Sequence, residues 1–365
     1  MDVLLGIGTR KGLFLARSTD GRSSWEVSPP RFAVADVKAL AIDTRRTTPR
    51  VLAGVLDSHF GPTMVTSDDL GRTWSEPDDA PLAFPSDTGA ALQGVWQIAP
   101  ATAAEPEVVY AGAEPSALFR SSDAGRTFEL IRGLWDHPHR SEWMPGGGGL
   151  ALHTIIPHPA NAERITVAIS TGGVYQTADG GRSWRPTNKG VTADFMPGEL
   201  PEWGQCVHKV AMDAGTPSTM YLQNHGGVFR TTDDGMSWQS IDGGLPASNF
   251  GFPIVAHPRR PRVIYTFPLV ADMERFRFPP NAECAVYRSA DGGETWSAQT
   301  SGLPREPFWA AVMRDAMCAD DADPAGIYFG TRNGEVYCSP DEGEHWRLVA
   351  DKLPDVLCVR ARVVG

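Results

Sequence analysis

The amino-acid sequence predicts an all-β fold, a seven-bladed β-propeller of four-stranded antiparallel blades, and three observations predict it. A short motif recurs seven times, its Asp residues lie 49 to 58 positions apart, and the strand missing at the start of the array is in surplus at its end. In each copy a Ser or Thr stands two residues before an Asp, a Gly turn follows, and an aromatic residue comes five positions after the Asp. The copies run from Ser18-Thr19-Asp20 to Trp25, Ser67-Asp68-Asp69 to Trp74, Ser121-Ser122-Asp123 to Phe128, Thr177-Ala178-Asp179 to Trp184, Thr231-Thr232-Asp233 to Trp238, Ser289-Ala290-Asp291 to Trp296, and Ser339-Pro340-Asp341 to Trp346. An array from residue 18 to 346 assigns 1–365 to a single propeller domain.

The elements follow in order. Val3 to Gly8, Gly12 to Ala16 and Trp25 to Val27 read as the second, third and outer strands of blade one, which therefore lacks an innermost strand. Innermost strands of later blades are Val37 to Ile42, Val95 to Ala99, Leu152 to Ile156, Val207 to Met212, Phe252 to Ala256 and Ala316 to Ala319. Blade five shows the full order: Val207 to Met212, a turn, Met220 to Gln223, Gly227 to Thr231, the Asp motif, then Trp238 to Ile241. After the last motif, Asp355 to Val363 is one strand too many, so the C-terminus is expected to complete blade one and remove two open sheet edges. In each motif the Asp caps turn N–H groups, Gly takes positive φ and the aromatic ring wedges between sheets, a structural role.

The Ser/Thr-x-Asp-x-Gly-x-Thr/Ser-Trp pattern resembles the Asp box, or bacterial neuraminidase repeat, of the sialidase-like and sortilin-like propellers. That family includes sialidases, xyloglucanases, the sortilin ectodomain and a photosystem II assembly factor. The resemblance implies the propeller and divides the function between enzymes, receptors and assembly factors. Sialidases hold a substrate carboxylate with three arginines, one in an Arg-Ile-Pro motif, and use a Tyr nucleophile. No Arg-Ile-Pro occurs here, and the seven Tyr fall in strands, which argues against true sialidase activity.

Composition narrows the partners. With 33 basic and 44 acidic residues, net charge −11, and no basic run, neither nucleic acid nor an anionic membrane surface is expected as a partner. The N-terminus enters a strand at once, with no basic and apolar leader, and five Cys without CxxC spacing read as reduced thiols; both point to a cytoplasmic protein. No phosphate-binding glycine loop, His-Glu-x-x-His or Gly-x-Ser-x-Gly motif occurs.

Chemistry-bearing residues concentrate on the face opposite the Asp motifs, at the mouth of the central channel. The five Trp outside the motifs (Trp96, Trp135, Trp143, Trp203, Trp309) and six of nine His map there. Two loops are richest: 134–149, with Trp135, His139, Arg140, Glu142, Trp143 and four glycines, and 194–209, with Glu202, Trp203, Gln205 and His208. Glu142 and Glu202 each precede a Trp able to stack on a sugar, so they are the candidate carboxylates, with His153 and His208 as further catalytic candidates. Asp57, Glu114, Asp136, Asp194 and Glu199 share that face, as do Arg10, Arg140, Arg314, Arg332 and Arg360. Ligand contacts are expected from Trp135, His139, Arg140, Trp143, Trp203, Gln205, Asn224 and His225. His153, His208 and His225 form a candidate site for a divalent metal, against the alternative of rim histidines bonded to loop carbonyls. The expected function is a carbohydrate-active enzyme, hydrolase-like or lyase-like, acting on a sugar or polar small molecule; the alternative is a binding or assembly propeller without chemistry.

Overall fold

The structure is a computed structural model that describes residues 1–75, 80–193, 201–246, 248–271 and 277–365. Seven antiparallel sheets follow one another around an axis. Six contain four strands; blade two contains three, Ala35–Asp43, Arg50–Asp57 and Gly61–Ser67, with a bridge from Thr66 to Ser75 where its outer strand begins. The innermost strands touch their neighbours all the way round, from Val356–Val363 through Ala35–Asp43, Gly94–Pro100, Leu152–Pro157, Val207–Met212 and Gly251–Ala256 to Met317–Ala319 and back.

Closure is as the strand order requires. Val356–Val363 pairs antiparallel with Val3–Thr9, from Val3 opposite Val363 to Thr9 opposite Val356. Both edges of blade one's second strand are thus hydrogen-bonded, so no long apolar edge is left open. A second lock lies at the Asp-box end. Arg22, in the first motif, inserts into blade seven, where Nη2 meets Asp320 Oδ1 at 2.7 Å and Nε meets Tyr328 Oη at 3.1 Å. Both charged side chains are buried.

Each Asp motif closes on itself. Ser289 Oγ donates to Asp291 Oδ1 at 2.7 Å and accepts from Gly293 N at 2.8 Å, while Asp291 accepts from Thr295 N and Oγ1 at 2.9 and 2.6 Å. The glycine is obligatory at Gly293: φ is 96°, and a Cβ would stand 2.4 Å from Ile241 Cδ1. The aromatic ring then ties blades together. Trp238 Nε1 donates to Thr187 O of blade four at 2.8 Å, and Trp296 Nε1 to Ile241 O of blade five at 2.8 Å. Indole faces fill the inter-blade layers, where fully buried Tyr175, Tyr221, Tyr265 and Tyr328 also pack.

Candidate functional site

The inner strands carry one recurrent irregularity. Their pairing slips at the mouth end around Lys38 in blade two, Trp96 in blade three, His153 in blade four, His208 in blade five and Phe252-Pro253 in blade six; in blade one the slip skips Leu357. A bulge of this kind re-aims a side chain out of the pleat. Lys38, Trp96, Phe252 and Leu357 consequently line a pocket of about 680 Å³, with Met313 and Arg314 from the entry to blade seven. Because its walls come from blades on opposite sides of the ring, the pocket lies over the channel. Gly147 and Gly148 of the glycine run, Arg277, and Arg10, Arg332 and Asp355 complete it. The volume suits a small polar ligand.

The pocket is cationic in a protein of net charge −11. Asp355 accepts from Arg10 Nε at 3.1 Å and also pairs with Arg332. Asp315 is held by Lys209 Nζ at 2.8 Å and by Arg360. Burial alone would raise the Asp315 carboxyl, but Lys209 and then Arg360 outweigh it and hold it below the usual range. Lys38, Arg277 and Arg314 have no carboxylate partner among the described residues. Lys38 Nζ and the Arg314 guanidinium lie 5.0 and 5.2 Å from the centre of the Trp96 ring, and Arg277 lies over Phe250. Arg314 is the exceptional group: its Nε and Nη1 are buried without a hydrogen-bond partner, and desolvation lowers its affinity for the proton. Trp96 Nε1 donates to Glu114 Oε2 at 2.8 Å, placing one carboxylate at the rim.

The two loops singled out in the sequence meet beside this pocket, and their aromatic residues close on one another. His139 stacks on Trp203 with ring centres 3.6 Å apart, and its Nδ1 lies 3.1 Å from Tyr175 Oη, which also accepts from Trp143 Nε1 at 3.0 Å. Arg140 covers the Trp135 ring at 3.4 Å. Trp135 and Trp143 are buried in the inter-blade core, which corrects their expected place as ligand-facing walls: an indole that fills a core layer presents no face to a sugar. Glu142 and Glu202 are exposed outside the pocket. Gln205 and Asn224 are buried, Gln205 donating to Pro201 O and Asn224 to Thr192 O, so they hold the loops. Asp194 and Glu199 lie outside the described residues.

The histidines divide. His153 is fully buried, with Nδ1 3.1 Å from Thr154 Oγ1 and Nε2 3.0 Å from Val207 O. His208 makes the same kind of tie one blade on, with Nδ1 2.5 Å from Gly251 O. Burial depresses both far below the ordinary histidine range, so both are neutral. His208 Nε2, however, turns toward Cys206 Sγ at 3.6 Å, and the ligand atoms of Cys206, His208 and His225 all lie within 4.8 Å of one another. The expected triad of His153, His208 and His225 is therefore corrected in one member. The His153 ring bridges to the next blade, and a thiol takes its place.

Sequence reasoning named Arg314 and Trp96 without ranking them and passed over Lys38 and Arg277. The usable signal was the strand position: Lys38, Trp96, His153 and His208 occupy the same slip in successive blades.

The ring of sheets and the seven self-closed Asp motifs define a seven-bladed Asp-box propeller. The model of the BNR/Asp-box repeat matches residues 287–298. A xyloglucanase of Paenibacillus sp is 26% identical over 210 residues, 53% of this chain and 18% of that enzyme. Xyloglucanase Xgh74A of Acetivibrio thermocellus is 23% identical over 270 residues, 64% of this chain and 29% of that enzyme. The chain thus spans less than a third of the length of either relative. Among solved structures, an ancestral GH74 enzyme superposes with a TM-score of 0.58 at 16% identity, covering 87% of this chain and 39% of that one. YCF48 from Cyanidioschyzon merolae gives 0.53 at 10% identity, with 87% of each chain covered. At these identities both share the fold.

Proposed function

We propose that the protein is a glycoside-hydrolase-like propeller that takes an acidic sugar, or a comparable small carboxylate, in the pocket over the channel. The observation that carries this reading is Arg314. A buried guanidinium with two unpartnered nitrogens is costly unless something that enters the pocket bonds to it, and a carboxylate fits its fork in a bidentate manner. Trp96 beside it offers a ring for a sugar face, and Lys38 and Arg277 add to the attraction of an anion. The xyloglucanase relatives support carbohydrate as the ligand class.

Hydrolysis needs an acid and a base or nucleophile. Asp315 and Asp355 are engaged by cations, so among the described residues the carboxylates we put forward for this work are Glu114 at the rim and Asp57, Asp136, Glu142 and Glu202 in the surrounding loops. That engagement also favours a second reading, a propeller that binds the same anion without turning it over. The cytoplasmic location is likewise our proposal, supported by five unpaired cysteines.

The test compares uronic-acid oligosaccharides with neutral xyloglucan oligosaccharides by titration calorimetry and by release of reducing ends. Acidic ligands should bind, Arg314→Met should weaken them about 100-fold, and the melting temperature should hold or rise because an unpaired buried charge is removed. Preference for the neutral oligosaccharides, or unchanged acid binding by Arg314→Met, rejects the reading. Binding without release of reducing ends selects the second one.

A further inference from the structure

Blade five brings together three groups that neither the Asp-box repeat nor the pocket's charge requires. Cys206 stands at the mouth end of the strand Val207–Met212, and His225 follows the neighbouring strand Met220–Asn224. The two residues are held side by side, because His225 N donates to Cys206 O at 3.0 Å. His208 is the residue skipped by the pairing slip between Val207 and Lys209. Without that bulge, Cys206 and His208 would be successive same-face residues at the spacing of a pleat; with it, the imidazole swings back until Nε2 is 3.6 Å from Cys206 Sγ.

We propose that Cys206, His208 and His225 form a binding site for a late first-row divalent cation of the zinc type. Three features support it. The donor set of one thiolate and two imidazoles suits such a cation. A sulfur and a nitrogen bound to one tetrahedral zinc, at about 2.3 and 2.0 Å, stand about 3.5 Å apart, close to the 3.6 Å between Cys206 Sγ and His208 Nε2. His208 is oriented as a ligand needs to be: Nδ1–H donates to Gly251 O at 2.5 Å, which leaves the Nε2 lone pair directed at the thiol. Phe250 and Phe252 pack on the His208 ring at 5.2 and 4.9 Å and hold it in place.

Three protein ligands leave a coordination position for water or an anion. Phe252 packs on the His208 ring and also lines the pocket, so the site borders the pocket wall that carries Arg277 and Arg314. Those cations oppose a bare dication, and they draw an anion to the fourth position. The inference is independent of which sugar the pocket takes.

The test is a titration of the chelator-treated, purified protein with Co²⁺, followed by displacement with Zn²⁺. One equivalent should bind and give a thiolate-to-cobalt charge-transfer band with the visible bands of a tetrahedral site, all lost on adding Zn²⁺. Cys206→Ser should abolish the charge-transfer band, and His225→Ala should weaken binding about 100-fold or more. Both positions are only partly buried, so the variants are expected to fold, and melting without metal checks this. His153→Gln should retain the band. Absence of a charge-transfer band at stoichiometric cobalt, or cobalt affinities in Cys206→Ser and His225→Ala equal to the parent, overturns the proposal.

Discussion

The two ends of the same blades treat polar groups in opposite ways. At the Asp-box end the motif aspartates close on partners within four residues, as Asp291 does on Ser289 and Thr295, and long-range pairs such as Arg22 with Asp320 and Arg230 with Glu294 join neighbouring blades. At the mouth the inner-strand bulges turn side chains toward the axis, where Lys38 and Arg314 find no carboxylate among the described residues. The difference follows from geometry. A turn can satisfy its own donors locally, whereas groups aimed across a channel can be satisfied only by something that enters it. The Asp motifs thus satisfy their own turns, and the unpartnered guanidinium of Arg314 in the pocket wall is what motivates the proposed site.

The sharpest way to break this contrast is at Arg22. Arg22→Met leaves the Asp320 carboxylate and Tyr328 hydroxyl buried without their cation, so stability to denaturant should fall by about 3–5 kcal/mol, while the folded fraction keeps its affinity for an acidic ligand. A loss below about 1 kcal/mol would show that the lock between blades one and seven contributes no more than a surface pair. Next in size is Ser289→Ala. It removes the acceptor of Gly293 N and a donor to Asp291, and should cost about 1–3 kcal/mol, again with ligand affinity unchanged. A drop in affinity at unchanged stability would place function at the Asp-box end.

The smallest effect is one of pH. The Thr295 hydroxyl on Asp291 and the Thr73 hydroxyl on Asp69 hold these carboxyls at about 2, against about 3.9 in an unfolded chain. A depressed folded value means that the contribution is present above the unfolded value and lost as pH falls through the folded one. Denaturation midpoints should therefore decline between about pH 4 and about pH 2, and Ser289→Ala should show less of that decline at Asp291. A midpoint flat across this window would separate the Asp motifs from stability.

The sequence by itself determined the blade count and the C-terminal closure. Each of these depends on periodic, local chemistry: an Asp that caps its own turn, a glycine at positive φ, and one strand missing where another is in surplus. It also put His153 and His208 at matching strand positions. Only the tertiary structure decided what those positions do. The His153 ring reaches the carbonyl of Val207 on the next blade, while the same bulge in blade five turns His208 toward Cys206, because that strand pairs with the segment that ends in His225. Likewise, nothing local distinguishes Arg314 from the other arginines; it acquires its meaning from walls contributed by residues such as Lys38, Trp96 and Phe252, far away in the chain and brought together only when the ring closes. Strand order follows from nearest-neighbour pattern, but a site on the axis is a property of the whole ring.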